Sequence, residues 1–403
     1  MKEVPTIAIG DLESVGQASL QTGPFGTQLK ASDYVSDGIP VINVRNIGFG
    51  KVRKADLEFL AEGKAEKLHQ HRLVAGDIVF GRKGAVERHA LVDATTDGWI
   101  QGSDCLRVRV NTDRVCEKYL SYYLRTSAHQ DWMQALCSFG ATMASLNQDI
   151  VRRIRFPAPP LKTQRRIAAI LSAYDDLIEN NRRRIALLEK MAEEIYREWF
   201  VRLRFPGHEQ AKFEKGVPVG WLSKKFGEFC KLKRGYDLPD DQVVPGPFPV
   251  VAATAVKTFH NQFKAEPPLI TTGRSGSLGG VLITYQRAWP LNTTLYVQDC
   301  YGNSAFLIYY TLKFMGLESF NAGAGVPTLN RNHLNGIPMN VPPRAIQRAF
   351  DEQIAPIHRQ IESLKASTDL ATRSRDALLP RLISGKLPVD ALDIRFPSSM
   401  QLE

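Results

Sequence analysis

The sequence predicts an α+β chain: two β-rich globular domains separated by two long antiparallel coiled-coil helices, the whole built as a pseudo-two-fold internal repeat. Three observations predict it. Residues 146–166 (LNQDIVRRIRFPAPPLKTQRR) and 329–349 (LNRNHLNGIPMNVPPRAIQRA) match without a gap at an offset of 183 residues. Each copy then runs into an apolar heptad stripe. Each is preceded by short apolar runs set between Gly- and Pro-rich turns.

The repeat comes first because a missed duplication mis-assigns a whole fold. Leu146-Asn147 matches Leu329-Asn330, Pro159-Pro160 matches Pro342-Pro343, and Gln164-Arg165 matches Gln347-Arg348. After the first Pro pair, steps of four and three fall on Ile167, Leu171, Tyr174, Ile178, Asn181, Ile185, Leu188, Ala192, Ile195 and Trp199. After the second they fall on Phe350, Ile354, Ile357, Ile361, Leu364, Thr368, Ala371, Arg375, Leu378 and Leu382. Asn181 interrupts the first stripe; Thr368 and Arg375 interrupt the second. A 3.5-residue apolar period sustained this long is a coiled-coil seam. Proline breaks a helix interior, so the Pro pairs mark the starts. Phe205-Pro206-Gly207 marks the first end, and Gly385 followed by Pro388 the second. Each helix is then on the order of 40 residues and about 60 Å long. One such helix cannot bury its stripe alone, and pairing the two with each other is the economical solution. Asn181 either fixes the register of the pair or is a tolerated surface residue.

The globular segments read as β-rich. Residues 39–47 and 77–80 in the first, and 247–256 and 281–284 in the second, run apolar or alternate like strands. Turns fall at Gly23-Pro24-Phe25-Gly26 and Gly246-Pro247-Phe248-Pro249. A Gly-flanked basic loop recurs as Gly81-Arg82-Lys83-Gly84 and Gly273-Arg274-Ser275-Gly276. A short helix-like stretch follows in each half, at 116–128 and 304–316. The resulting boundaries are a first globular domain at 1–155, a long helix at 156–204, a second globular domain at 205–340, a second long helix at 341–388 and a tail at 389–403.

The 403 residues are 43% hydrophobic and 23% charged, which suits folded domains with real cores. No run approaches the ~18 apolar residues of a membrane span, and the N-terminus has no apolar signal region, so a cytoplasmic location is expected. The five cysteines are not spaced as C-x-x-C, and an odd count argues for buried thiols in a reducing compartment. A net charge of +10 points to a polyanion or an acidic partner.

Taken in order and in duplicate, the motifs resemble the specificity (S) subunit of type I restriction–modification enzymes. In the first half they are GPFGT at 23–27, GIPVINVRNIG at 38–48, GDIVFGRKG at 76–84 and SLNQDIVRRIRFPAPPLKTQRRIAAIL at 145–171. In the second half they are GVPVGW at 216–221, PFPVVAATA at 247–255, PPLITTGRSGSLG at 267–279 and GAGVPTLNRNHLNGIPMNVPP at 323–343. The resemblance implies two target recognition domains, each reading one half of a bipartite, asymmetric double-stranded DNA site. It implies that the long helices hold methyltransferase (modification) subunits, two of them in this family, and that a restriction motor–nuclease subunit joins the complex. It implies no catalysis and no bound cofactor in this chain; S-adenosylmethionine, ATP and Mg belong on the partner subunits.

On that reading the DNA-binding residues are Arg82 and Lys83 in the first basic loop, Arg274 and Ser275 in the second, and Arg45, Asn46 and Arg88 nearby. Glycine lets backbone approach a ligand closely, and arginine pairs bidentately with guanine or phosphate. A strand-to-strand turn with solvated basic residues is the competing account of each. Asn147 and Asn330 suit either DNA contact or turn capping. Tyr196 and Phe200, aromatic residues at the end of the first helix, are the partner-binding candidates. The helix-pair seam is Ile167, Leu171, Ile178, Ile185, Leu188 and Ile195 against Phe350, Ile354, Ile357, Ile361, Leu364 and Leu378.

Enzyme readings find no footing. There is no G-x-x-x-x-G-K-[ST] loop, the glycine run at 273–280 opens no nucleotide-binding helix, and His69 and His71 lack a third ligand nearby. The alternative to a DNA-specificity subunit is a coiled-coil scaffold whose domains bind proteins. Steep salt dependence of binding favours DNA.

Overall fold

The computed structural model describes residues 4–137, 144–253, 255–323, 325–397 and 400. The first half of the chain runs β1 (Thr6–Ala8), α1 (Ile9–Ser14), β2 (Ala18–Thr22), β3 (Tyr34–Val35), β4 (Ile39–Ile42), β5 (Glu58–Leu60), α2 (Glu62–Lys67), β6 (Ile78–Gly81), β7 (His89–Leu91), β8 (Ile100–Gln101), β9 (Cys105–Val110), α3 (Glu117–Leu124), α4 (Ser127–Cys137), α5 (Gln148–Arg152), β10 (Arg155–Pro157) and α6 (Leu161–Tyr196). The second runs β11 (Phe213–Glu214), β12 (Val217–Pro218), β13 (Leu222–Lys225), α7 (Phe226–Phe229), β14 (Lys231–Arg234), β15 (Phe248–Ala252), β16 (Ala255–His260), β17 (Leu269–Gly273), β18 (Val281–Thr284), β19 (Trp289–Pro290), β20 (Thr294–Asp299), α8 (Ala305–Phe314), α9 (Arg331–Asn335), β21 (Pro338–Val341) and α10 (Arg344–Ile383).

The duplication seen in the sequence is a duplication of topology. One sheet has the order β2-β9-β6-β7 and its counterpart the order β14-β20-β17-β18. A second sheet, β3-β5-β4-β8, corresponds to β16-β15-β19, and in both a parallel pair (β4 with β8, β15 with β19) sits beside an antiparallel one. A two-stranded clasp, β1 with β10 and β13 with β21, pairs the first strand of each repeat with the strand leading into the long helix. Among the described residues β3, α2, α4 and the β11–β12 hairpin have no counterpart.

Contacts divide the chain into two compact units: residues up to Asn181 together with Ser367 onward, and Arg182–Ala366. The division falls inside both long helices. Each unit therefore owns a globular part and one stretch of each helix. In unit 1 the buried strands β6 and β9 contribute Ile78, Phe80, Leu106 and Val108; α3 adds Tyr119 and Leu120; Ile167, Leu171, Leu379 and Leu382 close the core from the long helices. In unit 2 the same role falls to Ile270, Leu295, Leu307, Ile308, Phe350 and Ile354. Each such side chain contributes about 1.5–3 kcal/mol of burial.

Both Pro pairs stand at helix starts. α6 begins one residue after Pro160 and α10 one residue after Pro343. The proline carbonyls accept the first helical bonds, from the Gln164 amide at 3.1 Å and the Gln347 amide at 3.2 Å. The matched glutamines then act in the same way. Gln164 Oε1 accepts from the Cys116 amide at 2.9 Å, where α3 begins, while its Nε2 donates to the carbonyls of Arg114 and Pro159. Gln347 Oε1 accepts from the Ser304 amide at 2.8 Å, where α8 begins, and its Nε2 donates to the Pro342 carbonyl and to Asn303. Both side chains are buried. One amide group thus joins a long helix, a short helix and the strand exit.

Within unit 1 the two long helices run antiparallel, because Asp175 meets Arg375 and Asn181 meets Ser367. Ile167, Leu171, Ile178, Phe350, Ile354, Ile357, Ile361 and Leu364 are buried; Ile185, Leu188, Ile195 and Leu378 are half-buried. Asn181 is buried and donates to Ser367 Oγ at 3.1 Å. Arg375, an interruption of the stripe in the sequence, is paired with Asp175 Oδ1 at 2.7 Å, while Arg125 and the Tyr122 hydroxyl bind the same carboxylate at 2.8 Å each. Burial alone would raise the Asp175 carboxyl, but the bonds and charge of Arg125 and then of Arg375 outweigh it and hold it at about 2. α6 widens into a π-helical turn at Arg197–Val201, so the helix stops short of Phe205-Pro206-Gly207. α10 ends at Ile383 with Gly385 in the left-handed region, φ +71°.

Replacing Gln164 by Leu strands the Cys116 amide and two carbonyls, and is expected to cost about 1–3 kcal/mol per stranded group; Gln347→Leu is expected to match it, both read as shifts in the urea midpoint. Asp175→Asn is expected to cost about 2–3 kcal/mol near neutral pH, because it removes the charge that Arg125 and Arg375 share, although Arg375 keeps Asp376. The carboxyl is lowered in the folded state, so its stabilisation is complete above the unfolded value of about 3.9. It fades as the pH falls and is gone once the pH has passed below the folded value of about 2. The stability gap between wild type and Asp175→Asn should therefore close between pH 4 and pH 2.

Candidate nucleic-acid interface

Each Gly-flanked basic loop leaves the end of a buried strand, β6 or β17, and is fastened at the same points. The Arg82 amide donates to the Asp104 carbonyl at 2.8 Å, the Leu146 amide donates to the Arg82 carbonyl at 2.8 Å, and the Gly84 amide donates to Ala144. In unit 2 the Arg274 amide donates to the Thr293 carbonyl at 2.8 Å, the Leu329 amide donates to the Arg274 carbonyl at 2.8 Å, and the Gly276 amide donates to Pro327. Lys83 bridges to Ser145 and Ser275 to Thr328. Leu146 and Leu329 are buried, so each loop is anchored to the core through the Leu-Asn step of the repeat. Gly84 and Gly276 have φ of +77° and +91°, which non-glycine side chains resist. Main-chain bonds fix the loops, so their side chains are free to vary.

Lys83 is exposed, with Nζ 3.3 Å from Asp104. Arg82 is half-buried, and its Nε is buried without a partner among the described residues. Arg274 and Ser275 are half-buried, with Arg274 Nη1 donating to the Asn292 carbonyl at 3.3 Å. Arg88 lies just past the first loop, its guanidinium 5.2 Å from the centre of the Phe49 ring. Phe25, in the turn whose Gly23 amide bonds the Cys105 carbonyl, is 68% exposed. The sequence marked that turn and missed its aromatic tip.

Several candidates are placed differently from the expectation. Asn46 is fully buried: its Nδ2 donates to the carbonyls of Arg53 and Ala55, and its Oδ1 accepts from the Asn43 amide. It holds a turn and has nothing left to offer DNA. Arg45 is spent on the same turn, bonding the Asp56 carbonyl and lying 2.9 Å from Glu58, though about half its side chain stays exposed. Asn147 and Asn330 cap α5 and α9, accepting from the amides of Ile150 and Asn332. Tyr196 is no surface aromatic. It is 7% exposed, with its ring 5.3 Å from Phe314 and 5.6 Å from Tyr310, both stacked. Phe200 is half-buried edge-on to Phe350 at 4.8 Å, with Trp221 also near. A ring amid four others gains more from burial than from waiting for a partner.

His71 is buried and bonded to Gln21. Among the described residues no three His, Cys, Asp or Glu side chains converge as metal ligands, and no helix is long and apolar enough to cross a membrane.

Residues 11–190 match the family model described as the type I restriction modification DNA specificity domain. The MjaIX specificity subunit of a type I restriction enzyme from Methanocaldococcus jannaschii is 25% identical over 70% of this chain and 71% of its own length. The putative MjaX specificity subunit from the same organism is 22% identical over 87% of this chain and 88% of its own. The crystal structure of a type I restriction–modification S subunit from M. genitalium covers 95% of this chain and 97% of its own at a TM-score of 0.62 and 17% identity, a likeness of fold. Residues 11–190 thus carry a type I restriction modification DNA specificity domain, and over most of its length the chain is similar to the specificity subunits of type I restriction enzymes.

Proposed function

We propose that the chain is the non-catalytic subunit that gives a type I restriction–modification complex its DNA sequence specificity. It reads a bipartite, asymmetric site, one half-site per recognition domain, and docks the methyltransferase and motor–nuclease subunits. S-adenosylmethionine, ATP and Mg are bound by those partners.

The observation that carries this reading is the pair of basic loops, fastened by the same main-chain bonds in both units yet different in side chains. Equivalent placement gives each unit a contact surface. Different side chains, Arg82-Lys83 against Arg274-Ser275, give the two surfaces different preferences. Arginine and lysine suit both phosphate and the guanine edge. Fixing the loop by backbone alone lets sequence preference change without disturbing the fold.

Methylome sequencing of a naive host carrying this chain with its modification subunit is expected to reveal one bipartite motif bearing N6-methyladenine, absent when this chain is omitted. No new motif from a soluble, associated pair would overturn the reading. Arg274→Ala is expected to cost about 1–3 kcal/mol at one half-site and to relax the base preference there, leaving the other half-site unchanged. An unaltered motif and affinity would remove Arg274 from the interface.

A further inference from the structure

Three arginines converge on one cavity of about 380 Å³ in unit 2: Arg234, Arg274 and Arg331, with Leu295, Leu329 and Asn330 among the other lining residues. Among the described residues no carboxylate lines it. Among the described residues each guanidinium has one long contact: Arg274 with the Asn292 carbonyl at 3.3 Å, Arg331 with the Leu232 carbonyl at 3.3 Å, and Arg234 with Asp237, an acid 70% exposed, at 3.5 Å. Five N–H donors per guanidinium leave most of their capacity unused. Three cations around one partly apolar cavity repel one another, and an anion placed among them relieves that repulsion.

The same three positions exist in unit 1, and two of them are filled differently. Arg274 corresponds to Arg82, each first after the glycine of its loop. Arg331 corresponds to Gln148, each first after the capping asparagine. Arg234 corresponds to Thr22, each the strand end paired with a leucine, Leu295 or Leu106. Gln148 Nε2 donates to Thr22 Oγ1 at 3.2 Å, so a neutral hydrogen bond joins the positions that two arginines hold in unit 2.

We propose that the Arg234–Arg274–Arg331 cavity binds one phosphodiester group of the DNA backbone, and that unit 1 has no equivalent site. This rests on the DNA-binding reading and deepens it. Arg234 and Arg331 position the duplex without specifying sequence, and unit 2 carries a larger electrostatic share of the grip than unit 1. The planar fork of arginine matches phosphate geometry.

The test uses the complex of the full chain with its modification subunit and a DNA duplex of arbitrary sequence, because backbone contacts are sequence-independent. Affinity is measured as a function of salt. The pair R234Q/R331Q is expected to make the log–log slope shallower by about 0.9, so the affinity lost between about 50 and 200 mM salt shrinks by about threefold. R234K/R331K is expected to keep the wild-type slope, and T22A/Q148A in unit 1 to leave it unchanged. A steep wild-type slope that R234Q/R331Q does not alter would overturn the cavity assignment and leave the DNA reading standing. Equal loss in the Gln and Lys pairs would make the arginines structural and overturn it too. A flat wild-type slope would remove the DNA reading and this proposal together. Binding of inorganic phosphate that R234Q/R331Q abolishes, with the duplex slope unmoved, would make this a free-phosphate site and overturn the DNA assignment.

Discussion

The architecture hangs on two buried glutamines. At the start of each long helix the backbone turns from a strand through a Pro pair, while a short helix begins alongside with an amide that has no helical partner. Gln164 and Gln347 satisfy that amide with their oxygen and the neighbouring carbonyls with their nitrogen. A primary amide is suited to this because it accepts and donates at once and carries no charge to desolvate. Leucine would fill the space and leave the polar groups stranded. Once that junction is set, the short helix, the strand clasp and the Leu-Asn anchor of the basic loop take their places from it.

Deeper along the helices the halves part company. Asp175 and His358 stand at the repeat offset, and each meets the tyrosine of its short helix, Tyr122 or Tyr310, at 2.8 Å. The Asp175 carboxylate is ionised and held between Arg125 and Arg375. His358 is buried between Tyr310 and Tyr285, and burial first, then the charges of Lys365 and Lys313, lowers it to about 4. One position therefore solves the same packing problem with an ion network in unit 1 and a neutral hydrogen-bonded ring in unit 2. The frame is conserved between halves at the helix starts and negotiable further along.

What could be read from the sequence was whatever repeats or has a period. The ungapped offset located both junctions, the Pro pairs located both helix starts, and the heptads found the buried face, with Ile167, Leu171, Phe350 and Ile354 at its centre. Contacts between distant segments were illegible. Arg375 broke the stripe on paper because its partners, Asp175 and through it Arg125, lie far away in the chain. Tyr196 looked like a surface aromatic because Tyr310 and Phe314 come more than a hundred residues later. Asn46 looked like a ligand because a polar residue after a strand gives no sign of which carbonyls it will meet. The three-arginine cavity draws on β14, the loop after β17 and the start of α9, so no window of sequence contains it. Its trace lay in where the two copies differ, Arg331 against Gln148, which a search for matches passes over.

The Asp175 and His358 pockets also limit how such a chain can be re-engineered. A chimera that grafts the second globular segment onto the first helix stretch, cut at the Pro pairs, would bring Tyr310 and Lys313 to Asp175 and part Arg125 from it. The graft would put a lysine in place of one arginine of the ion network and part Tyr310 from His358. Crossovers placed inside the helices, near Asn181 and Ala366 where the contacts thin out, would carry each short helix together with the stretch of long helix it has been fitted to. Modular exchange in this architecture is thus governed by where the side-chain partnerships end, several turns past the point where the strands do.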